Sequence, residues 1–280
     1  MQTPVESRIQ LPHLSLSSQR WGDDSLPPLL ALHGWLDNAG SFALLSPRLA
    51  ARHHVIALDL PGHGHSDHLP SGASYHYLDY VRDVLAAVDA LQLSRYTLLG
   101  HSLGAGIASL VTAAMPQQIE RLFLIEGLGP LGDDGSRTLA RFREAMAPRR
   151  SKKSLRVFRD VEQAIQARSL ASGLPAKLAR PIVERGLIET DGGWRWRSDP
   201  QLTRPSPTRL AESQVHALLS GITTPTELML ARPATSYLPA GPMQARADCV
   251  PQITLSHIDG GHHLHLEQPQ AIADWIFAAG

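Results

Sequence analysis

Short apolar runs alternate with stretches of helical period along most of this chain. Residues 29–32, 55–58, 95–99 and 119–125 are apolar, short and bounded by turn residues, as buried strands are. Between them, 40–51 sets Phe42, Leu45 and Leu49 at helical spacing, and 75–91 carries the stripe Leu78, Val81, Leu85, Val88 and Leu91. The Ala- and Gly-rich segment 103–115 predicts a helix ended by Pro116. Residues 8–19 alternate loosely and predict one opening strand, or two joined by a turn. Buried strands alternating with helices mean an α/β fold with a doubly wound, mostly parallel sheet. Such sheets hold ligands at the carboxyl ends of their strands.

From about Pro130 to Gly221 the texture changes. Arg and Lys crowd 137–159, with 149–153 reading as a solvated face. Helical pieces such as Leu155, Phe158, Val161 and Ile165 follow one another without buried strands between them. Residues 186–197 predict a hairpin with Asp191-Gly192 at its turn. Trp194 and Trp196 fall on one side of it, where they either pack a core or cover a pocket. The strand–helix rhythm resumes with strands at 226–230 and 252–257 and a closing helix at 270–279. The expected organisation is a core domain of 1–129 and 222–280, with 130–221 as a mostly helical cap over the strand ends.

Composition narrows the function classes. In 280 residues, Lys plus Arg and Asp plus Glu each number 26, so nothing points to nucleic acid as a partner. Cys249 is the only cysteine, so no internal disulfide is possible. No run reaches the ~20 apolar residues of a membrane-spanning helix. Residues 1–7 lack the basic and apolar regions of a secretory signal, and the expected location is the cytoplasm.

The chemistry centres on Gly100-His101-Ser102-Leu103-Gly104, which fits Gly-x-Ser-x-Gly between a predicted strand and a predicted helix. That context makes it a nucleophile elbow: a sharp turn projects the serine hydroxyl, and the small flanking residues let strand and helix pass closely. The N–H of Leu103, first in the helix, then points at a forming oxyanion. His33-Gly34-Trp35 also follows a strand, and the N–H of Trp35 is the candidate second donor. A base for Ser102 must be an imidazole. His262, after Gly260-Gly261 and the last strand, has the right place in chain order, while His263 and His265 read as surface or packing histidines. Pairs such as His63/His65 and His262/His263 lack the accompanying carboxylates of a metal site, so no metal is expected. Asp59 to Gly64 reads as a structural turn, with Asp59 bonding loop amides.

Four motifs stand together in order: His33-Gly-Trp-Leu-Asp-Asn38, Asp59-Leu-Pro-Gly-His-Gly64, Gly100-His-Ser-Leu-Gly104, and Gly260-Gly-His262 with Glu267-Gln-Pro269. They resemble the α/β-hydrolase superfamily over nearly the whole chain. Asp37 to Phe42 and the Asp191-Gly-Gly-Trp-Arg-Trp-Arg197 segment are most similar to the serine hydrolase-like proteins. The resemblance implies an eight-stranded, mostly parallel sheet, a helical cap between the sixth and seventh strands, and no cofactor. Related epoxide hydrolases and haloalkane dehalogenases carry Asp where this chain has Ser102, which argues for attack on a carbonyl. One departure matters. Many members place the triad acid after the seventh strand in a Gly-x-x-Asp turn, and the matching residue here is Ala234. Others place it after the sixth strand, where Glu126 stands. Glu227 lies at the wrong end of its strand, Asp248 precedes the final one, and Asp259 shapes a turn, so Glu126 is the expected acid. The expected activity is cleavage of a small ester, thioester or lactone. The competing expectation is a catalytically silent scaffold that binds a small ligand under its cap. The sequence says nothing of oligomeric state.

Overall fold

The computed structural model describes residues 3–147 and 156–279. The basic segment 149–153 and Leu155 therefore lie outside the described residues. Two opening strands, β1 (Val5–Gln10) and β2 (Ser15–Trp21), form an antiparallel pair. β3 (Pro28–Leu32) and β4 (His54–Leu58) flank a segment that folds as a 3₁₀ turn, Ala39–Phe42, and a short helix, α1 (Ser46–Leu49), rather than as one continuous helix. Asn38 caps the turn by accepting the Gly40 N–H, and Pro47 lies in the first turn of α1, so each piece carries its own start signal. Next come α2 (Tyr77–Ala90), β5 (Tyr96–His101), α3 (Leu103–Ala114) and β6 (Ile119–Ile125).

The segment after β6 holds α4 (Thr138–Met146), α5 (Val161–Ser172), α6 (Ala176–Gly186), the hairpin β7 (Leu187–Thr190) and β8 (Gly193–Trp196), and α7 (Glu212–Leu219). Then follow β9 (Thr226–Arg232), α8 (Ala240–Ala247), β10 (Ile253–Asp259), α9 (Leu264–Glu267) and α10 (Pro269–Ala279). The main sheet has eight strands in the order β1-β2-β4-β3-β5-β6-β9-β10. Pairing is parallel from β4 through β10, and antiparallel for β1–β2 and β2–β4.

Alternation along the strands sends successive side chains to opposite faces. Leu30, Leu32, Ile56, Leu58 and Leu98 join α2 and α3 on one face, whereas Leu29, Ala31, Val55, Ala57 and Leu99 join α10 on the other. The buried face of α2 is Tyr80, Val81, Val84, Ala87 and Val88. Leu78, read from the pattern as part of that face, is instead exposed. The buried stripe is rotated so that Tyr80 and Val84, rather than Leu78, face the core.

The 130–221 segment has a small core of its own, Phe158, Ala164, Ile165, Val183 and Leu187, with Trp194 and Trp196 packed against it. The two tryptophans thus serve packing. Phe158 sits in a bridge to Trp194 rather than in a helix. Buried polar contacts tie the segment to the core. Asn38 donates to the Ile182 carbonyl at 2.8 Å, Arg185 donates to Asp59 Oδ2 at 2.7 Å, and Arg168 pairs with Asp37. Asp59 also accepts the Ala39 and His65 amides, the turn role expected for it. No helix among the described residues is long and apolar enough to cross a membrane.

Beneath β3 and β4, His33 and His63 pack edge to face with ring centroids 5.0 Å apart. Burial pushes His33 down to about 4, and burial together with the neighbouring His33 pushes His63 down to about 3. Both rings are therefore neutral in the folded chain at pH values where the unfolded chain binds protons on them. The stability this represents is complete above pH about 6.5 and is lost as pH falls toward about 3. The urea midpoint is expected to be lower at pH 5 than at pH 7.5, with a flatter dependence in His63→Gln. An unchanged midpoint would contradict the neutral pair.

Glycine marks where α3 is pressed onto the sheet. A Cβ on Gly104 would run into the Leu32 carbonyl, and one on Gly100 would lie 2.5 Å from Ala105 Cα. Gly241 in α8 has open space around its Cβ position. Gly104→Ala is expected to cost about 1–3 kcal/mol in urea unfolding, and Gly241→Ala, at an open position ahead of Pro242, to change stability by less than about 1 kcal/mol. Equal effects would mean that α3 is not tightly seated.

Candidate active site

Ser102 sits between β5 and α3 with φ 52° and ψ −113°, a conformation an L-residue adopts only when its surroundings impose it. The described residues contain three more non-glycine residues at positive φ, and two of them, Leu36 in the loop after β3 and Glu126 directly after β6, lie at the same sheet edge. Ser102 N–H donates to the Ile125 carbonyl at 3.0 Å, so the elbow is pinned to the end of β6. Its side chain does not cap its own helix and is partly exposed.

Glu126 follows directly on β6 and is 2 % exposed. Its Oε1 accepts the Ala231 N–H at 2.6 Å. Its Oε2 lies 3.1 Å from His262 Nδ1, with the Thr235 hydroxyl 3.5 Å away. The turn after β9, where the sequence has Ala234 in place of an acid, thus wraps a carboxylate supplied by the strand beside it. A carboxylate only accepts, so His262 Nδ1 carries the proton and Nε2, across the ring, is the bare nitrogen. His262 is held in a loop shaped by Gly260, at φ 159°, and by Glu267, which accepts the Gly261 N–H at 2.7 Å. The Asp259 carbonyl accepts from the Gln268 amide at the base of this loop. Tyr237 lays its ring edge on, 5.0 Å from the His262 ring. Burial, followed by the Glu126 charge, pushes the Tyr237 phenol up to about 12, so it stays neutral.

The loop after β3 closes a turn in which Asp37 N–H donates to the Gly34 carbonyl at 3.1 Å, with Leu36 at φ 58° inside it. The Trp35 indole is 53 % exposed, and its Nε1 donates to the Leu202 carbonyl at 3.1 Å. A Cβ on Gly34 would lie 3.0 Å from His101 Nδ1, and one on Gly104 would meet both Leu32 and His33 carbonyls. The Trp35 loop and the first turn of α3 are therefore packed together. Leu103, as the first residue of α3, has an N–H without an intrahelical acceptor.

Some of what surrounds the site was not read from sequence. His101 is buried beside Ser102, and its Nε2 donates to the His262 carbonyl at 2.8 Å. His263 and His265 are not surface residues. His263 Nε2 lies 3.4 Å from Asp37 Oδ2, and His265 Nε2 lies 2.7 Å from Ser41 Oγ. Their only sequence signal is the density of histidine in 262–265. Among the described residues no group of three or more His, Cys, Asp or Glu is arranged to hold a metal ion.

Comparison with known proteins bears on this arrangement. The family model described as the α/β hydrolase fold matches residues 27–172. A serine hydrolase-like protein of Danio rerio is 30% identical over 283 residues, covering 97% of this chain and 86% of that protein. Among solved structures, a hypothetical protein of Pseudomonas aeruginosa PAO1 is 38% identical with a TM-score of 0.90, covering 98% of this chain and 99% of that one. A thioesterase domain from the curacin biosynthetic pathway is 25% identical with a TM-score of 0.84, covering 99% of this chain and 100% of that one. The chain belongs to the α/β-hydrolase fold family and is similar over most of its length to serine hydrolase-like proteins.

Proposed function

We propose that the protein is a serine hydrolase that cleaves a small carboxylic ester, thioester or lactone through an acyl-enzyme on Ser102. The observation that carries this reading is the Glu126–His262 pair at 3.1 Å, at the same sheet edge as a serine at φ 52°. Ser102 Oγ attacks the carbonyl carbon while His262 Nε2 takes its proton. The carbonyl oxygen becomes an oxyanion facing the Trp35 and Leu103 amides. As the tetrahedral species collapses, the bond to the alcohol or thiol breaks and His262 returns the proton to that leaving group. Water then attacks the acyl carbon, again losing a proton to His262, and the carboxylic acid leaves with Ser102 restored. Glu126 orients the ring and stabilises the imidazolium formed in each half. No cofactor or metal takes part in these steps.

Electrostatics support the division of labour. Two fixed amides at a developing oxyanion matter because removing one such donor costs about 2.7–4 kcal/mol in a measured case from another enzyme. Trp35, in the loop of the candidate oxyanion donor, and Tyr237, beside the His262 ring, are each about half exposed. That suits an uncharged acyl or alcohol portion. The segment 130–221 acts as the cap, and its Leu202 carbonyl fixes the Trp35 indole through the 3.1 Å bond. The similarity to the curacin thioesterase domain favours acyl transfer chemistry.

A fluorophosphonate probe is expected to label the wild-type chain, and Ser102→Ala to abolish both labelling and hydrolysis of p-nitrophenyl acetate. Labelling that persists in Ser102→Ala, or an unlabelled wild type, would overturn the reading and leave a ligand-binding scaffold. Glu126→Gln keeps the shape and removes the charge, so steady-state turnover is expected to fall roughly 10²–10⁴-fold. Near-wild-type turnover, with Asp259→Asn inactive instead, would assign the acid elsewhere.

A further inference from the structure

Next to His101 and His263, whose rings adjoin that of His262, lies a second buried carboxylate. Asp37 belongs to the loop that follows β3, and its side chain is 1% exposed. It collects donors from separate parts of the chain. Arg168 reaches it from α5 and pairs with Oδ1. His263 Nε2 stands 3.4 Å from Oδ2, and the Ser41 hydroxyl donates to Oδ2 at 3.3 Å. Burial alone would raise this carboxyl, but the His263 hydrogen bond and the Arg168 charge outweigh it and hold the group well below the usual carboxylate range. Asp37 is an anion.

The protons around it follow from what each atom can accept. The Ser41 hydrogen goes to Asp37, so His265 donates Nε2–H to Ser41 Oγ at 2.7 Å. Burial pushes His265 down to about 3, so that ring is neutral. The His262 carbonyl only accepts, so His101 carries its proton on Nε2. Burial, together with the neighbouring His265, His262 and His263, holds His101 well below the imidazole range, so it too is neutral. Its bare Nδ1 has no hydrogen-bond partner among the described residues and faces Asp37 Oδ2 from 3.8 Å. The His101 and His262 rings are 4.8 Å apart. The loop bearing Trp35, the residue before Ser102 and the loop bearing His262 thus meet over one anion whose countercharge comes from the 130–221 segment.

We propose that Arg168 is a positioning residue: by pairing with Asp37 beneath His101 and His263, it couples the seating of the 130–221 segment to the orientation of His262. Another buried bridge to that segment, Arg185 to Asp59, has no such route. Asp59 bonds the Ala39 and His65 amides and meets neither His101 nor His262. Removing Arg168 leaves the Asp37 anion unbalanced against the His101 and His263 rings that adjoin His262, and removing the Asp37 charge leaves the Arg168 cation unbalanced there. The remaining titratable groups facing His262 are Glu126 at Nδ1, His101, His263, with rings 5.4 Å apart, and Tyr237. Neither variant alters any of these residues.

This inference rests on His262 being the base, and its test separates the two claims. With p-nitrophenyl acetate as substrate, Arg168→Gln and Asp37→Asn are each expected to lower kcat about 10–100-fold with little change in KM, the loss that misplacement by about an ångström brings. The acid limb of kcat/KM, which reports the base of the free enzyme, is expected to move to higher pH in Arg168→Gln and to lower pH in Asp37→Asn. Arg185→Gln is expected to lower the urea midpoint without moving the limb. Limbs that stay put, or move the same way in both charge variants, would overturn the proposal. Should Arg168→Gln fail to fold, the direction in Asp37→Asn decides alone. If the wild type neither hydrolyses the ester nor reacts with a fluorophosphonate, the hydrolase reading has failed. The His262 ring titration followed by NMR in the same variants then tests the coupling by the same opposed signs.

Discussion

The close seating of α3 on the sheet is the constraint from which the rest follows. With a Cβ at Gly100 already 2.5 Å from Ala105 Cα, strand and helix have no room for a gradual connection. The chain must reverse within one residue, and Ser102 takes up the reversal at φ 52°. A conformation of this kind costs on the order of 1–3 kcal/mol and persists only where packing over-determines it. Here β5 is buried along its full length and α3 along most of its own. The strained serine is thereby fixed at the sheet's carboxyl edge, and Leu36 and Glu126 take similar conformations beside it.

That edge holds an uncommon density of buried ionisable groups. Two carboxylates, Glu126 and Asp37, lie within reach of His101, His262, His263 and His265. In a low-dielectric interior an unsatisfied carboxylate is costly, so each is surrounded by donors. Glu126 takes the Ala231 N–H near the end of β9 and the ring of His262. Asp37 takes the Arg168 cation, the His263 ring and the Ser41 hydroxyl. One carboxylate faces the candidate base directly, while the other meets the two histidines beside it.

Much of the core was legible because its determinants are local. The runs 29–32, 55–58 and 119–125 read as strands and are β3, β4 and β6, since an apolar run between turn residues has few other uses in a parallel sheet. The place of Glu126 was legible as well, for a carboxylate ending a buried strand needs partners. The pairings around Asp37 were not. Arg168 is 131 residues away in sequence, and a single arginine on a helix looks like a solvated one. The buried face of α2 escaped for a different reason. The spacing of its apolar residues allows two adjacent stripes, and contact with the sheet chose the one that leaves Leu78 outside. Trp194 and Trp196 could be placed on one face of a hairpin, but what that face meets depends on Phe158 and Val183, which come from elsewhere in the segment.

The central claim is that Ser102, His262 and the amides of Trp35 and Leu103 converge on one reacting carbonyl. A crystal structure of the protein after reaction with a p-nitrophenyl phosphonate tests it most directly, because the tetrahedral phosphorus occupies the position of the acyl carbon. The account predicts phosphorus bonded to Ser102 Oγ, its oxygen about 2.7–3.1 Å from both amide nitrogens, and His262 Nε2 turned toward Oγ. A phosphonyl group on any other residue, or its oxygen directed away from Trp35 and Leu103, would contradict it.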